Sequence, residues 1–262
     1  MITINDASEL TAEKIMSMSD EEMDLIPDTI WEQIPSTIWD EIKAKRNQQA
    51  VDAAIADYER EIISNLKDAS LMDSRYTNCS FDTCEIGDNP EFNNAYARCK
   101  RYCTNAAVIL QKNLGIYIYG DVGVGKTHLI ACMANQLMKS GYKVLFTNIS
   151  SLIKRITSTF NGSKETEEDI MKSLKLVDFL FIDDIGSEQA DSQFAKSKIY
   201  DMINLRYSIR KPVIFTSNQS IRELFCNGYE QKTIDRINEL SSVVLKITGK
   251  SRRLRKQEVT DF

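Results

Sequence analysis

The sequence predicts an α/β fold, a parallel sheet flanked by helices, preceded by a small all-α N-terminal domain. Three observations predict it. Five short apolar runs alternate with helical stretches in the last two thirds of the 262-residue chain. A complete phosphate-binding loop joins one of those runs to the helical stretch after it. The first 75 residues contain no glycine and read as helical. Alternation of this kind argues for parallel strands connected through helices.

The helical front piece has recognisable starts and stops. Ser19-Asp-Glu-Glu22 opens a helix, and Pro27 and Pro35 punctuate the residues after it. A small repeat surrounds the prolines: Ile26-Pro-Asp-Thr-Ile-Trp31, then Ile34-Pro-Ser-Thr-Ile-Trp39. Each copy can begin a helical turn with Pro near the first position and Ile and Trp on one side. From Lys43 to about Leu71 a longer helix is expected, with Val51, Ile55, Tyr58, Ile62 and Leu66 in a stripe at spacings of three and four. Packing of a helical hairpin is the expected use of the Trp pair and the stripe. A docking surface for a partner is the sharper alternative, because 75 residues make a thin core.

Near residue 75 the character changes, and the domain boundary is placed there: 1–75 helical, 76–262 α/β. Asn89-Pro90-Glu91 is a helix start, with Asn as N-cap and Pro at the first helical position. Strand-like runs come next at Ile116–Tyr119, Lys143–Thr147, Phe179–Asp183, Val213–Ser217 and Val243–Ile247.

Composition is that of an ordinary globular protein, 42% hydrophobic and 27% charged. No apolar run reaches the ~18–20 residues that span a membrane, and the N-terminus lacks a basic start followed by an apolar stretch. A cytoplasmic protein with reduced cysteines and no membrane contact is expected. The net charge of −5 is unevenly distributed. Residues 1–75 hold 17 acids and 7 bases, whereas 76–262 hold 21 acids and 26 bases. An acidic front and a mildly basic body suggest protein contact at one end and anionic ligands at the other.

The loop itself is Gly120-Asp121-Val122-Gly123-Val124-Gly125-Lys126-Thr127, followed by His128. A strand turning through glycines into a helix N-terminus aims backbone N–H groups and a positive helix end at one spot, which suits phosphate. Lys126 can then reach the β- and γ-phosphates of a nucleoside triphosphate, and the Thr127 hydroxyl can ligate Mg²⁺. His128 reads as a packing or capping residue rather than a catalyst. Phe179–Asp183 is a buried strand ending in acids. Asp183 is expected to hold Mg²⁺, and Asp184 to orient or deprotonate the attacking water. Val213–Ser217 ends at Asn218, which would meet the γ-phosphate or its water if this strand lies between the other two.

The ordered set Gly120–Thr127 with His128-Leu129, Phe181-Ile-Asp-Asp-Ile-Gly186-Ser-Glu188, Phe215-Thr-Ser-Asn218, Ile234-Asp-Arg236 and Gly249-Lys-Ser-Arg-Arg253 resembles the DnaC/DnaI/IstB branch of AAA+ ATPases. The resemblance covers roughly residues 75–257. It implies Asn218 as sensor asparagine, Arg236 as arginine finger for a neighbouring subunit's ATP, and Arg253 as second sensor arginine, with Arg252 the competing choice. It implies an ATPase of low turnover, since Asp184 stands where many such proteins carry Glu. The implied function is loading of a hexameric replicative DNA helicase onto single-stranded DNA, with self-association through the ATP interface. The acidic helices would grip the helicase. Alternatives are a transposition helper ATPase of IstB type and a nucleotide-gated adaptor with little turnover.

Two further features stand apart. Cys79, Cys84, Cys99 and Cys103 place four thiols within 25 residues, but their spacing is wider than the tight pairs zinc prefers. Cys99 and Cys103 also share the apolar face of a predicted helix, so packing is favoured over zinc. Two basic clusters, Arg206/Arg210/Lys211 and Arg252/Arg253/Arg255/Lys256, are candidates for meeting nucleic-acid phosphates.

Overall fold

The computed structural model describes residues 6–69, 74–160, 162, 165–187 and 193–252, without the side chains of residues 59–69 and 74. The chain forms two compact units, Met1–Glu61 and Ile62–Phe262.

In the first unit, helices α1 (Ala12–Ser17), α2 (Asp20–Asp24) and α3 (Asp28–Trp31) precede most of a 34-residue helix, α4 (Ser36–Ala69), whose last residues fall in the second. Ser19 begins α2 as expected, in a capping box where its hydroxyl accepts from Glu22 N and Glu22 reaches back to Ser19 N. Pro27 and Pro35 immediately precede α3 and α4, whose first turns have no need of a proline N–H. α4 starts seven residues before the predicted Lys43 because nothing between Ser36 and Ala69 breaks it: the stretch has neither Gly nor Pro.

The core of this unit is small: Leu10, Ile15, Ile26, Ile30, Ile34 and Ile42 with Ala7 and Ala12. Ile26, Ile30 and Ile34 of the repeat are thus buried, and Ile38 packs against them half-buried. Trp31 and Trp39 lie with ring centroids 5.9 Å apart, and Trp39 is exposed. The expected packing of the α4 stripe is not what the structure has. Val51, Ile55 and Tyr58 are about half exposed, because the core ends at Ile42 and α4 continues past it. Ile62 and Leu66 have side chains outside the described residues.

The second unit contains a five-stranded parallel sheet: β1 (Ile116–Gly120), β2 (Val144–Asn148), β3 (Phe179–Asp183), β4 (Val213–Ser217) and β5 (Val243–Ile247). Its order is β2-β3-β4-β1-β5. Helices α5 (Pro90–Thr104), α6 (Ala106–Lys112) and α7 (Lys126–Lys139) flank it with α8 (Ile149–Thr159) and α9 (Glu167–Leu176). They are followed by α10 (Gln193–Ser208), α11 (Ile221–Cys226) and α12 (Gln231–Leu240). Asn89 caps α5 through Phe92 N, with Pro90 at the first position as predicted.

Both faces of the central strands are covered, which is why they read as continuous apolar runs, whereas the edge strand β5 leaves Val244 and Lys246 exposed. Phe179 and Phe181 of β3 join one core with Phe92, Leu129, Met133 and Ile118. Leu180 and Ile182 join the other with Tyr117, Ile199, Phe215 and Ile237. The register pairs Ile116 with both Ile214 and Val243, so β1 lies between β4 and β5 and ends level with β4.

Arg206 corrects one sequence expectation. It is fully buried on α10, and its guanidinium donates to the carbonyls of Leu174, Val177, Asp178 and Pro212 at 2.8–2.9 Å. Burial pushes its pKa down to about 9, which leaves it charged at neutral pH. Beside it, Lys211 Nζ donates to the carbonyls of Lys175, Leu176 and Val177 at the end of α9. These two cations close helix and strand ends, so of that cluster Arg210 alone is exposed.

Candidate functional site

The expected residues converge at the carboxyl edge of the sheet. β4 does lie between β1 and β3, the arrangement on which contact between Asn218 and the loop depends. Three strand ends therefore deliver the phosphate-type loop, Asn218 and the Asp183–Asp184 pair side by side. Such an edge is where open parallel sheets bind ligands.

The loop takes its shape from close backbone packing. Gly120 has φ +139°, and a Cβ there would sit 1.8 Å from Ile247 O, so β5 forbids any side chain. Gly123 has φ +80°, and a Cβ would lie 2.2 Å from Ser251 Oγ. The segment after β5 straps the loop from outside: Gly249 N donates to Asp121 Oδ2 and Arg252 N to Gly123 O, each at 2.9 Å. Asp121, read in the sequence as a loop residue, is thus also an anchor.

Lys126 is buried at the start of α7. Its ammonium donates to Gly120 O, Asp121 O and Asn218 Oδ1, each at 2.8 Å. A positive ammonium and a helix N-terminus meeting in a glycine cradle fit a polyphosphate. Beside it the Thr127 hydroxyl donates to Asp183 Oδ1 and Oδ2 at 3.1 and 3.2 Å. This hydroxyl–carboxylate pair of hard oxygens suits Mg²⁺. Burial raises the Asp183 pKa, opposed by hydrogen bonds from Thr216 and Thr127 and by the Lys126 charge.

Asp184 has a left-handed backbone, φ +60°, which aspartate tolerates better than most residues. Asn218 Nδ2 donates to Asp184 Oδ1 at 3.2 Å, so the amide bridges Lys126 and Asp184. Thr216 organises both acids. It is buried on β4, its hydroxyl donates to Asp183 Oδ1, and it accepts from Asp184 N at 2.9 Å. In the sequence Thr216 reads as one more strand residue. The signal available was its place two residues before Asn218, facing the tip of β3.

These groups border a cavity of about 870 Å³, within the ~300–1,000 Å³ usual for small-ligand sites. Lys126, Thr127, Asp184 and Asn218 form its polar end. Tyr76, Cys84 and Glu85, from the segment before α5, form another wall, and Arg252 closes a third side. The Arg252 guanidinium lies 4.2 Å from the Phe92 ring centroid and donates to Glu85 O. Arg253, Glu188, Arg255 and Lys256 lie outside the described residues.

Val122 is exposed and borders the cavity, while Val124 is buried beneath the loop. His128 borders the cavity, with Nδ1 3.4 Å from Cys79 Sγ. Arg236 is not brought to this cavity. It sits on α12, donates to Asn204 Oδ1 at 3.2 Å, pairs with Glu239 and stacks over Tyr207 at 4.0 Å.

The parallel sheet, the glycine loop opening α7 and the acid-tipped β3 define a P-loop ATP-binding domain of AAA+ type. Comparison with known families agrees: residues 90–260 match the family described as IstB-like ATP binding protein, and the chain belongs to that family. Among curated proteins, it is 34% identical over 151 residues to the replicative helicase loader DnaC of Buchnera aphidicola subsp. Baizongia pistaciae, covering 57% of this chain and 59% of that one. The replicative helicase loader DnaC of Escherichia coli is 26% identical over 183 residues, 69% of this chain and 72% of the relative. Among solved structures, a crystal structure of the DnaC helicase loader superposes with a TM-score of 0.59 at 25% identity, covering 67% of this chain and 99% of that chain. Among the described residues, no helix is long and apolar enough to cross a membrane.

Proposed function

We propose that this chain is an ATP-dependent loader of a hexameric replicative DNA helicase onto single-stranded DNA, with ATP held between subunits. The observation that carries the ATP half is the triangle Lys126–Asn218–Asp184 beside Thr127–Asp183, which gives a polyphosphate one positive anchor, one amide and two carboxylates. In this reading Lys126 and the loop N–H groups hold the phosphates. Thr127 and Asp183 hold Mg²⁺, which when bound neutralises charge developing on the transferred phosphoryl group. Asp184 takes the proton of the attacking water, and Asn218 keeps Asp184 and Lys126 in register. Arg252, stacked on Phe92 at the cavity wall, is placed for a cis arginine role, and Arg253, the other candidate, lies outside the described residues.

Arg236 supplies the intersubunit half. Its place on α12, away from its own cavity, suits a guanidinium offered to a neighbour's ATP. Hydrolysis then depends on assembly, and turnover is slow. Residues 1–75 serve as the helicase-binding domain and 76–262 as the ATPase. The exposed Val51, Ile55 and Tyr58 face of α4 supports a docking role for the first, and the names of the loader relatives support the choice of helicase.

Co-purification of the full chain with a replicative helicase tests this reading. A stable complex is expected, and Ile55→Glu should break it while ATP binding is unchanged. Filaments on duplex DNA without helicase binding would favour the transposition helper, which the family name also accommodates.

A further inference from the structure

Cys132 sits in the middle of α7, one turn after His128, so the two side chains share a face of the helix. Across from them lies the segment before α5, carrying Cys79 and Cys84. The sulfur of Cys84, a ring nitrogen of His128 and the sulfur of Cys132 all lie within 4.8 Å of one another. Cys79 Sγ is 3.4 Å from His128 Nδ1. All three thiols are buried.

The geometry points to a zinc site formed by Cys84, His128 and Cys132, with Cys79 completing a tetrahedron. Zinc bound at ~2.3 Å to sulfur and ~2.0–2.1 Å to nitrogen places its ligand atoms roughly 3.5–3.8 Å apart. The spacings among Cys84, His128 and Cys132, all within 4.8 Å, need a contraction of about 1.3 Å at most to meet that range, and Cys79 Sγ, 3.4 Å from His128 Nδ1, would swing in as the fourth ligand. In chain order the ligands read C-x4-C, at the wide end of the cysteine spacings zinc modules use, then H-x3-C, one helical turn apart on α7. Of the four cysteines that lie close together in the sequence, Cys79 and Cys84 belong to this group, and its other two ligands come from α7. Cys99 and Cys103 are buried on α5, where Cys103 Sγ donates to Met133 O, and neither sulfur joins the Cys84–His128–Cys132 cluster.

The surroundings hold the two ligand pairs together without metal. Asn135, one turn further along α7, donates to Tyr76 O and Cys79 O at 2.9 and 2.8 Å, fixing the segment against the helix. Tyr76 meets the His128 ring edge-on. On binding, Zn²⁺ displaces the thiol protons to solvent. Three thiolates and a neutral imidazole around the dication leave one negative charge, and the Arg252 guanidinium, which donates to the carbonyl of the neighbouring Glu85, is a cation bordering the same cavity. The site goes beyond the loader reading and does not depend on it, since its ligands lie at the seam between α7 and the preceding segment. Through Cys84 and His128 it also borders the nucleotide cavity.

The full-length chain, purified with reductant and without chelator from zinc-supplemented cells, is assayed for metal by mass spectrometry. About one zinc per chain is expected. Exchange with Co²⁺ should give sulfur-to-metal charge-transfer and tetrahedral d–d bands. Cys84→Ser and Cys132→Ser should lose the metal, whereas Cys226→Ser, at an exposed cysteine elsewhere, should keep it. The wild-type measurement decides the matter even if a variant fails to fold. Zinc below about 0.1 equivalent with no tetrahedral cobalt spectrum would overturn the assignment. So would a Cys84–Cys132 disulfide in the freshly isolated protein, which would make the pair a redox couple instead.

Discussion

Thr216→Val removes one hydroxyl and little volume, and its effect can be worked from two contacts and the hydroxyl's burial. The hydroxyl donates to the Asp183 carboxylate, accepts from Asp184 N and is buried at 1% exposure. Losing a hydrogen bond to a charged acceptor costs ~1.5–3 kcal/mol, and leaving a buried N–H unpaired costs ~1–3 kcal/mol. Because the methyl packs well, a net loss of about 2–4 kcal/mol is expected. In a unit of this size that lowers Tm by roughly 4–16 °C. The hydroxyl also stabilises the charged form of Asp183, whose pKa burial already raises. The acidic limb of the ATPase pH profile should therefore move to higher pH, and the rate at saturating Mg·ATP should fall by about tenfold or more, ~1.4 kcal/mol of misplacement at the two acids. Thr216→Ser keeps the hydroxyl and should restore the pH limb. Thermal melting and steady-state phosphate release read these quantities. A Thr216→Val protein with wild-type Tm and an unmoved pH profile would show that Thr216 does not position the acids.

Arg206→Met should leave four buried carbonyls short of a donor and cost about 3–5 kcal/mol in urea unfolding, with ATP affinity per folded molecule unchanged. Weaker DNA binding with unaltered stability would instead return Arg206 to the surface role its sequence suggested. Asp183→Asn should abolish hydrolysis yet stabilise the metal-free protein. An acid whose folded pKa is raised destabilises the fold once it ionises, so the wild type loses stability as pH rises from the ordinary carboxylate value of 3.8 through the folded one. The variant's Tm advantage should thus be present at neutral pH and vanish below pH 3.8. An advantage constant across that range would point to packing rather than charge.

Much of the α/β unit was legible because its signals are local. Three of the five strands begin and end at the predicted residues, β1 runs one residue further and β2 is displaced by one, since short apolar runs are bounded by sharp polar or glycine turns. The loop, Asp183, Asp184 and Asn218 were legible because each lies at the end of a strand. The features hidden from the sequence lie in contacts between distant segments. Thr216 matters only because β4 pairs with β3, and Cys132 only because α7 faces the Cys79–Cys84 segment. Arg206 looked like surface charge because four carbonyl acceptors from other elements leave no trace in its neighbourhood along the chain. The α4 stripe had the period of a buried face, yet period alone does not supply the partner that would bury it.

Mixing two inactive variants tests the shared ATP site most directly. Lys126→Ala should lose nucleotide but keep Arg236, and Arg236→Ala should bind nucleotide but lack the group offered across the interface. Each alone is expected to have negligible ATPase activity, and the mixture to recover a clear fraction of the wild-type rate. No recovery on mixing, with both variants folded and assembling, would contradict an ATP site completed by a neighbouring subunit.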